Sequence, residues 1–175
     1  MKRLPLAVNL LAYQGAWFAC VLGAAYQRPA IGIAVACAAL LLHLTLAAAP
    51  KRELALVGVA LVVGALFESG LVASGRVRFH ETLLVGGVMP LLMVVLWGVF
   101  ATTLNVALRS LRQRYVLGAM LAAVGAPLAY RTGETLGALE LTDTVPALLL
   151  ISAGWALLMP LLMRTALRFD GAARP

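Results

Sequence analysis

The amino-acid sequence predicts an all-α membrane protein, a bundle of about six transmembrane helices with the N and C termini both in the cytoplasm. The composition is the first reason, because 63% of the 175 residues are hydrophobic and 12% are charged, whereas about a quarter of the residues of soluble proteins are charged. The second is that the apolar residues form runs of the roughly 20 residues that a helix needs to cross a bilayer. The third is that positive charges collect in the connections of one side.

The apolar runs define the predicted spans in chain order. The first run is longer than the about 7–15 residues of a signal-peptide core, and it carries Asn9 and Gln14, so we expect it to be retained as a helix. The spans together form a single integral membrane domain over residues 1–170, followed by a frayed tail over 171–175. The six predicted spans are 4–25, 30–49, 54–73, 82–107, 115–130 and 145–163.

Two of these spans contain a proline that matters for their shape. The fourth is long enough to tilt or to kink at Pro90. The fifth stays apolar only to about residue 129, and Pro127 lacks the backbone N–H that an interior helical position needs. We therefore expect the fifth helix to be short and broken at Pro127.

The positive charges set the orientation. If the N-terminus is cytoplasmic, ten lysines and arginines lie on the cytoplasmic side and four lie on the other, which predicts both termini inside. The ten are Lys2, Arg3, Lys51, Arg52, Arg109, Arg112, Arg114, Arg164, Arg168 and Arg174, and the four are Arg28, Arg76, Arg78 and Arg131. Four acids, Glu81, Glu134, Glu140 and Asp143, fall on the outer side. The net charge of +7 is thus a topology signal, and we expect no nucleic-acid partner. For the run 109–114 an anionic-lipid patch is the alternative to a topology anchor.

Residues 125–138 hold the first candidate site. This segment places Tyr130, Arg131 and Glu134 at or near membrane depth, and discontinuous helices often mark binding sites in transporters. Glu68 lies near the outer end of the third span, and an ionisable group at membrane depth indicates function. We predict a Glu68–Arg131 ion pair, a local Arg131–Glu134 pair at i, i+3, and Glu68 as the candidate catalytic residue. The alternatives are a snorkelling carboxylate, an interfacial tyrosine and a wetted loop.

Polar residues of the first two spans form a second candidate. Asn9, Tyr13 and Trp17 repeat every four residues and share one helix face, with Gln14 beside it. Such a stripe either bonds to neighbouring helices or lines a cavity. His43, in the second span, lies at a depth similar to that of Asn9. It is either hydrogen-bonded within the bundle, or a proton carrier or metal ligand.

The fourth span adds Trp97 as a candidate binding residue, with helix packing as the alternative. Metal and cofactor sites are not expected. Cys20 and Cys37 have no metal-ligand spacing, and His43 and His80 lie on opposite sides of the predicted membrane.

Several of these residues together resemble a family of small multi-span bacterial inner-membrane proteins classed as a domain of unknown function. The residues that carry the resemblance are Asn9, Gln14, Trp17, His43, Glu68, Pro90, Trp97, Phe100, Thr103 and Leu104, and then Gly125, Pro127, Tyr130, Gly133, Leu136, Gly137 and Ala138. Glu68 departs from the Asp that is commoner there. The resemblance implies a multi-pass protein of the bacterial inner membrane. Because such proteins are often encoded near fatty-acid-modifying enzymes, it also implies a lipid-related role.

The predicted function is therefore binding, or help in modifying, a membrane lipid or fatty acyl group at a polar site of the outer leaflet. A small proton-coupled transporter and a non-catalytic scaffold or partner subunit are the alternatives. The sequence contains no nucleophile–base constellation, which argues against a self-sufficient hydrolase and leaves enzymatic activity undecided. The expected partner is a membrane lipid, with a second copy of the chain or a partner membrane enzyme as the other candidates.

Overall fold

The structure, a computed structural model, describes residues 6–80, 84–85 and 89–172. Within these ranges six α-helices follow one another, joined by short connections. They are α1 (Leu6–Ala25), α2 (Pro29–Leu46), α3 (Pro50–Ala73), α4 (Leu91–Leu104), α5 (Tyr115–Thr135) and α6 (Thr144–Arg168). Four short strands, β1 (Val77–Phe79), β2 (Leu84–Val85), β3 (Met89–Pro90) and β4 (Leu139–Leu141), and a 3₁₀ turn at Arg109–Leu111 complete the described chain. Four of the charged residues used above for orientation, Lys2, Arg3, Glu81 and Arg174, lie outside the described residues.

Helix ends follow from local sequence. Pro29 and Pro50 open α2 and α3, where a missing N–H costs nothing and the proline ring presets the helical φ. After α5, Gly137 adopts a φ of +84°, and the N–H of Ala138 donates to the carbonyl of Gly133 at 2.9 Å. This left-handed cap needs glycine because a side chain would strain that backbone conformation.

Successive helices run antiparallel, so the bundle has two ends. We call the end where α1 begins and α6 finishes the terminal end, and the opposite one the strand end. At the strand end β1 pairs antiparallel with β4, and Arg78 faces Glu140 in the register; β2 pairs with β3. The ion pair between Arg76 Nη1 and Asp143 Oδ2, 2.6 Å long, joins the same two connections. These strands were not predicted from the sequence, because segments of two or three residues show no usable alternation.

The fourth helix is shorter than the span predicted for it, of which residues 82–83 and 86–88 lie outside the described residues. In place of a helix over 82–107, α4 covers 14 residues and begins after Pro90, which is extended with φ −75° and ψ 104°. At 1.5 Å per residue α4 is about 21 Å long. It packs against α1, α2, α3 and α6, and ten of its residues are buried. Other helices therefore enclose α4.

The predicted break in the fifth helix is wrong, since α5 continues through Pro127 without interruption. Pro127 cannot donate to the carbonyl of Ala123, four residues earlier. The hydroxyl of Ser152 on α6 donates to that carbonyl instead, at 2.8 Å. A side chain from a neighbouring helix therefore satisfies the acceptor that the proline leaves free, and the helix persists.

Four of the helices, α1, α2, α3 and α6, are long and apolar enough to cross a membrane. Large hydrophobic side chains are exposed on their outer faces, among them Leu11, Leu66 and Leu157, which are 72–76% exposed. A soluble protein rarely exposes so much contiguous apolar surface. The chain thus has the character of a membrane protein.

Candidate functional site

A buried carboxylate joins three helices near the strand end. Glu68 on α3 is 0% exposed. Its Oε1 accepts hydrogen bonds from Trp97 Nε1 on α4 at 2.8 Å and from the Tyr130 hydroxyl on α5 at 2.6 Å. Its Oε2 has no hydrogen-bond partner among the described residues. Three of the residues singled out from sequence therefore meet at one oxygen atom, and we call them the Glu68 triad.

The predicted ion pair between Glu68 and Arg131 does not form. Consecutive residues of a helix point about 100° apart, so Tyr130, which faces the bundle, turns Arg131 away from it. The side chain of Arg131 is 55% exposed and pairs with Glu134, which confirms the predicted i, i+3 contact. Glu134 Oε1 also accepts the Leu141 N–H at 3.0 Å. Arg131 and Glu134 thus stabilise the end of α5 and do not join the triad.

The indole of Trp97 reaches Glu68 because Gly64 leaves room for it. Gly64 lies one turn before Glu68 on α3, and a Cβ at this position would lie 2.3 Å from Trp97 Cγ. Such a distance is well inside van der Waals contact. The tryptophan ring therefore packs directly on the helix backbone, which places its N–H beside the carboxylate.

Aromatic rings extend from the triad into the middle of the bundle. Trp155 on α6 stacks on Trp97, with 4.4 Å between ring centroids. Phe100 packs edge-on against Trp155 at 5.3 Å, and Tyr13 on α1 packs edge-on against Phe100 at 6.0 Å. Trp155 is not among the residues singled out above from the sequence, but its ring contacts, together with Phe100, connect the triad with the ring of Tyr13.

A cavity of about 310 Å³ lies alongside these rings, within the range of typical ligand pockets. Residues of α1, α4, α5 and α6 line it, and those of the lining that the structure describes include no charged side chain. Trp97 and Tyr130 form part of its wall, whereas Glu68 stands behind them. On α5 the lining runs from Gly118 to Gly133, about 22 Å of helix at 1.5 Å per residue. The cavity is therefore long, apolar and close to the triad.

Small residues of α5 leave the space for this cavity. The side of α5 that lines it carries Gly118, Ala122, Gly125, Ala126, Ala129 and Gly133. A Cβ at Gly125 would meet nothing within 4 Å. Leu121, also in the lining, is 52% exposed, so the cavity is partly open on the side of the bundle, along α5. It is open to the surface that the surrounding membrane would cover.

The polar stripe of α1 divides between two roles. Asn9 is buried, and its Nδ2 donates to the Thr102 carbonyl and hydroxyl on α4 at 3.4 Å. Tyr13 and Trp17 line the cavity. Gln14 is exposed on the outer side of the helix. The structure thus shows both roles predicted for the stripe. Asn9 bonds to a neighbouring helix, and Tyr13 and Trp17 line the cavity.

A second buried polar group lies at the terminal end. His43 Nε2 lies 2.7 Å from Glu53 Oε2, and it does not bond to Asn9. Glu53 Oε1 accepts from Asn105 Nδ2 and from the Gly171 N–H, both at 2.7 Å. Of the tail predicted over 171–175, residues 173–175 lie outside the described residues, and the carbonyl of Gly171 accepts the Ala49 N–H at 2.9 Å. We call this group the Glu53 network.

Arginines of the α4–α5 connection complete the Glu53 network. Arg109 and Arg112 donate to Asp170 Oδ2 at 2.8 and 3.1 Å, and Arg112 also bonds to Asn105 Oδ1. Arg112 is buried, so it is tied to the end of α6 and is more than a topology anchor. The sequence did not predict that Glu53, Asn105, Arg112 and Asp170 form one group. The available signal was an acid, Glu53, that follows His43 by only one short connection.

Among the described residues, no three His, Cys, Asp or Glu side chains come together in a way that could hold a metal ion. The two polar groups are separate: the Glu68 triad lies beside the cavity, and the Glu53 network lies at the terminal end. The cavity with its triad is the better candidate for a ligand site.

Comparison with known proteins places the chain in a family whose function is not established. The model of a family described as "Protein of unknown function (DUF2878)" matches residues 6–161. No curated protein matches the chain, and no solved structure matches it.

Proposed function

The chain belongs to the DUF2878 family of proteins of unknown function, and we propose that it binds the hydrocarbon chain of a membrane lipid in its lateral cavity. The observation that carries the proposal is the cavity itself. It is apolar, about 22 Å long and open sideways where lipid would surround the helices. The hydrocarbon core of a bilayer is about 30 Å thick. A cavity of this length is therefore long enough to hold an acyl chain of one leaflet.

The uncharged lining supports a hydrophobic ligand. Burying a charge in such a site without a partner is very unfavourable, and none of the described lining residues is charged. Aromatic rings supply much of the wall, and they bury large apolar areas while staying rigid. The cavity is thus suited to a chain, and the side-chain polar atoms of its wall include those of Tyr13, Trp17, Trp97, Tyr130 and Trp155.

We place the protein in the bacterial inner membrane with both termini in the cytoplasm. The charge asymmetry supports this orientation, because the terminal end holds most of the described lysines and arginines. A C-terminal fusion tests it: a green fluorescent protein should fluoresce and alkaline phosphatase should stay inactive. A dark green fluorescent protein fusion together with active alkaline phosphatase would contradict the orientation, but it would not affect the proposal that the cavity binds lipid.

The cavity is tested by filling it. Gly125→Phe puts a ring into the open space of the cavity, while Gly58→Phe is the matched control on α3, where a Cβ also meets nothing within 4 Å but does not face the cavity. Each protein is extracted from membranes in a polymer nanodisc and then purified in mild detergent, and the retained lipids are measured by mass spectrometry. We expect the native protein and Gly58→Phe to retain a defined lipid species that Gly125→Phe loses at least fivefold. Equal retention by all three proteins, or by none, refutes the proposal.

A further inference from the structure

The polar group of the ligand can be specified from the hydrogen-bond donors of the cavity wall, and this inference rests on the proposed function. We infer that the cavity binds an uncharged lipid with a carbonyl group flanked by hydrocarbon, and that this carbonyl accepts a hydrogen bond from the indole N–H of Trp155. The ligand class is a neutral carbonyl lipid, such as a long-chain ester or a quinone with an isoprenoid side chain.

Trp155 leaves a buried donor without a partner in the wall of the cavity. Its ring lines the cavity, and its Nε1 is buried and makes no hydrogen bond among the described residues. The Tyr130 hydroxyl lies near this N–H but forms no hydrogen bond with it, and it donates its own proton to Glu68. A buried donor without an acceptor costs about 1–3 kcal/mol, and native structures contain few of them. A ligand that accepts from Trp155 would remove this cost.

Two further donors of the wall are also unused. The Tyr13 hydroxyl and the Trp17 indole belong to residues that line the cavity, and neither makes a hydrogen bond within the described ranges. An indole can only donate, whereas a carbonyl oxygen has two lone pairs and no proton. The wall therefore lacks acceptors above all, and a carbonyl supplies one without adding a donor that would need a partner of its own.

These donors lie midway along the bundle, away from its polar ends. Trp155 is the twelfth of the 25 residues of α6, and Trp17 is the twelfth of the 20 residues of α1. Ser152, one turn before Trp155, bonds to Ala123 of α5, and the cavity lining on α5 continues beyond this level towards both ends of the bundle. A carbonyl at Trp155 therefore leaves room for hydrocarbon on both sides. In a phospholipid, by contrast, the ester carbonyls adjoin the charged head group.

The charges around the cavity also favour a neutral ligand. In the part of the chain that the structure describes, no charged side chain lines the cavity. Glu68 stands behind Trp97 and Tyr130, and Arg131 is paired with Glu134 on the outside of α5. A phosphate or a carboxylate in the cavity would find no counter-charge there, and burying an unpaired ion is very unfavourable.

Competition between lipids of equal chain length tests the inference. Delipidated protein in detergent is loaded with isotope-labelled decyl decanoate, and the label that remains bound is measured by mass spectrometry after addition of a competitor. The competitors are unlabelled decyl decanoate, the alkane heneicosane and a fatty acid anion of similar length, each at the same ratio to detergent. Because one hydrogen bond contributes about 0.5–1.5 kcal/mol net, we expect the ester to compete about 2- to 12-fold more strongly than the alkane. The anion should compete less well than the ester.

A quinone with an isoprenoid side chain is added as a further competitor, because it carries the same kind of carbonyl in a different lipid. Stronger competition by the quinone than by the ester supports the inferred carbonyl and assigns it to a quinone. Stronger competition by the ester supports the carbonyl and assigns it to an ester.

Variants locate the donor. Trp155→Phe should remove the preference for the ester over the alkane, and the alkane itself controls for any change in the shape of the cavity. Tyr115→Phe, a control on α5 outside the cavity, should keep the preference. A folded Trp155→Phe protein that keeps the preference, or loss of the preference in Trp17→Phe instead, overturns the assignment to Trp155.

The infrared spectrum of the bound ester gives a readout that does not depend on affinity. A hydrogen bond lowers the stretching frequency of an ester carbonyl, and an isotope label at that carbon separates its band from those of other lipids. The ester bound to the native protein should absorb at a lower frequency than the ester in detergent alone, and Trp155→Phe should abolish this shift. An unshifted band in the native protein overturns the inferred hydrogen bond, even if Trp155→Phe does not fold.

Failure of the inference differs from failure of the proposed function. Equal competition by ester and alkane, or strongest competition by the anion, overturns the inferred neutral carbonyl and leaves the lipid cavity standing. If the native protein binds neither the labelled ester nor any of the competitors, both are overturned.

Discussion

Adding a single methyl group at Gly64 should disrupt the Glu68 triad by displacing the indole of Trp97 from α3. In Gly64→Ala the new Cβ would lie 2.3 Å from Cγ and 2.7 Å from Cβ of Trp97, so either the indole or α3 must move. Overpacking of this kind costs about 1–3 kcal/mol. If the indole moves, its buried N–H also loses Glu68, which adds about 1–3 kcal/mol. Replacing a helical glycine by alanine returns about 0.5–1 kcal/mol. The expected net loss in the free energy of unfolding is about 1–5.5 kcal/mol if the indole moves and about 0–2.5 kcal/mol if α3 moves instead.

Gly58→Ala is the matched control for this prediction. Gly58 is on the same helix and exposed, and a Cβ there would meet nothing within 4 Å. The free energy of unfolding of the control should thus rise by about 0.5–1 kcal/mol, because alanine favours the helix and its methyl group meets no other atom. Thermal unfolding in detergent, followed by the near-ultraviolet circular dichroism of the tryptophans, measures both variants. If Gly64→Ala unfolds at the same temperature as Gly58→Ala, the close packing of Trp97 on α3 is not as described.

Three further predictions concern the buried polar contacts and are tested by the free energy of unfolding of variants. Glu68→Ala leaves two donors without an acceptor and should lower the free energy of unfolding by about 2–6 kcal/mol. Glu68→Gln keeps an acceptor oxygen and should lower it by less than half as much. Equal losses for the two variants in chemical denaturation would contradict the acceptor role of Glu68. Ser152→Ala should cost about 1–3 kcal/mol by orphaning the Ala123 carbonyl, and adding Pro127→Ala should recover most of it in a double-mutant cycle. Glu53→Ala leaves three donors at the terminal end without their acceptor and should lower the free energy of unfolding by about 3–5 kcal/mol. The end of α6 should then become the first site of limited trypsin digestion. Digestion that begins elsewhere would contradict this prediction.

The helices were predictable because their cause is local. A run of apolar residues long enough to cross a bilayer is visible in the sequence, and so is the proline that opens α2 or α3. The predicted start of the second helix and the predicted start of the sixth each differ from the structure by one residue. The observed bounds of α4 could not be found in this way, since the apolar run extends beyond the helix at both ends.

The prediction of a break at Pro127 was wrong for a reason that lies outside α5. Whether a proline interrupts a helix depends on what happens to the acceptor it leaves free. Here the answer is Ser152, in another helix, and no pattern around Pro127 reveals it.

The candidate site was predictable as separate residues but not as contacts. Glu68, Trp97 and Tyr130 each stood out from sequence because polar groups at membrane depth are few. Their convergence depends on how α3, α4 and α5 rotate about their axes, which the sequence does not show. The opposite charges of Glu68 and Arg131 suggested a pair, whereas helix rotation brings the neighbouring tyrosine to the carboxylate instead.

The Glu53 network has a consequence for the time at which the protein completes its fold. Glu53 and Gly171 are 118 residues apart in the chain. At a synthesis rate of about 5–20 residues per second, roughly 6–24 s pass between the addition of the two. During that interval the carboxylate of Glu53 is in place without the backbone N–H that later holds it, and Arg112 precedes Asp170 in the same way. The terminal end is therefore the last part of the bundle to close, and it closes only on a chain whose final helix has been made.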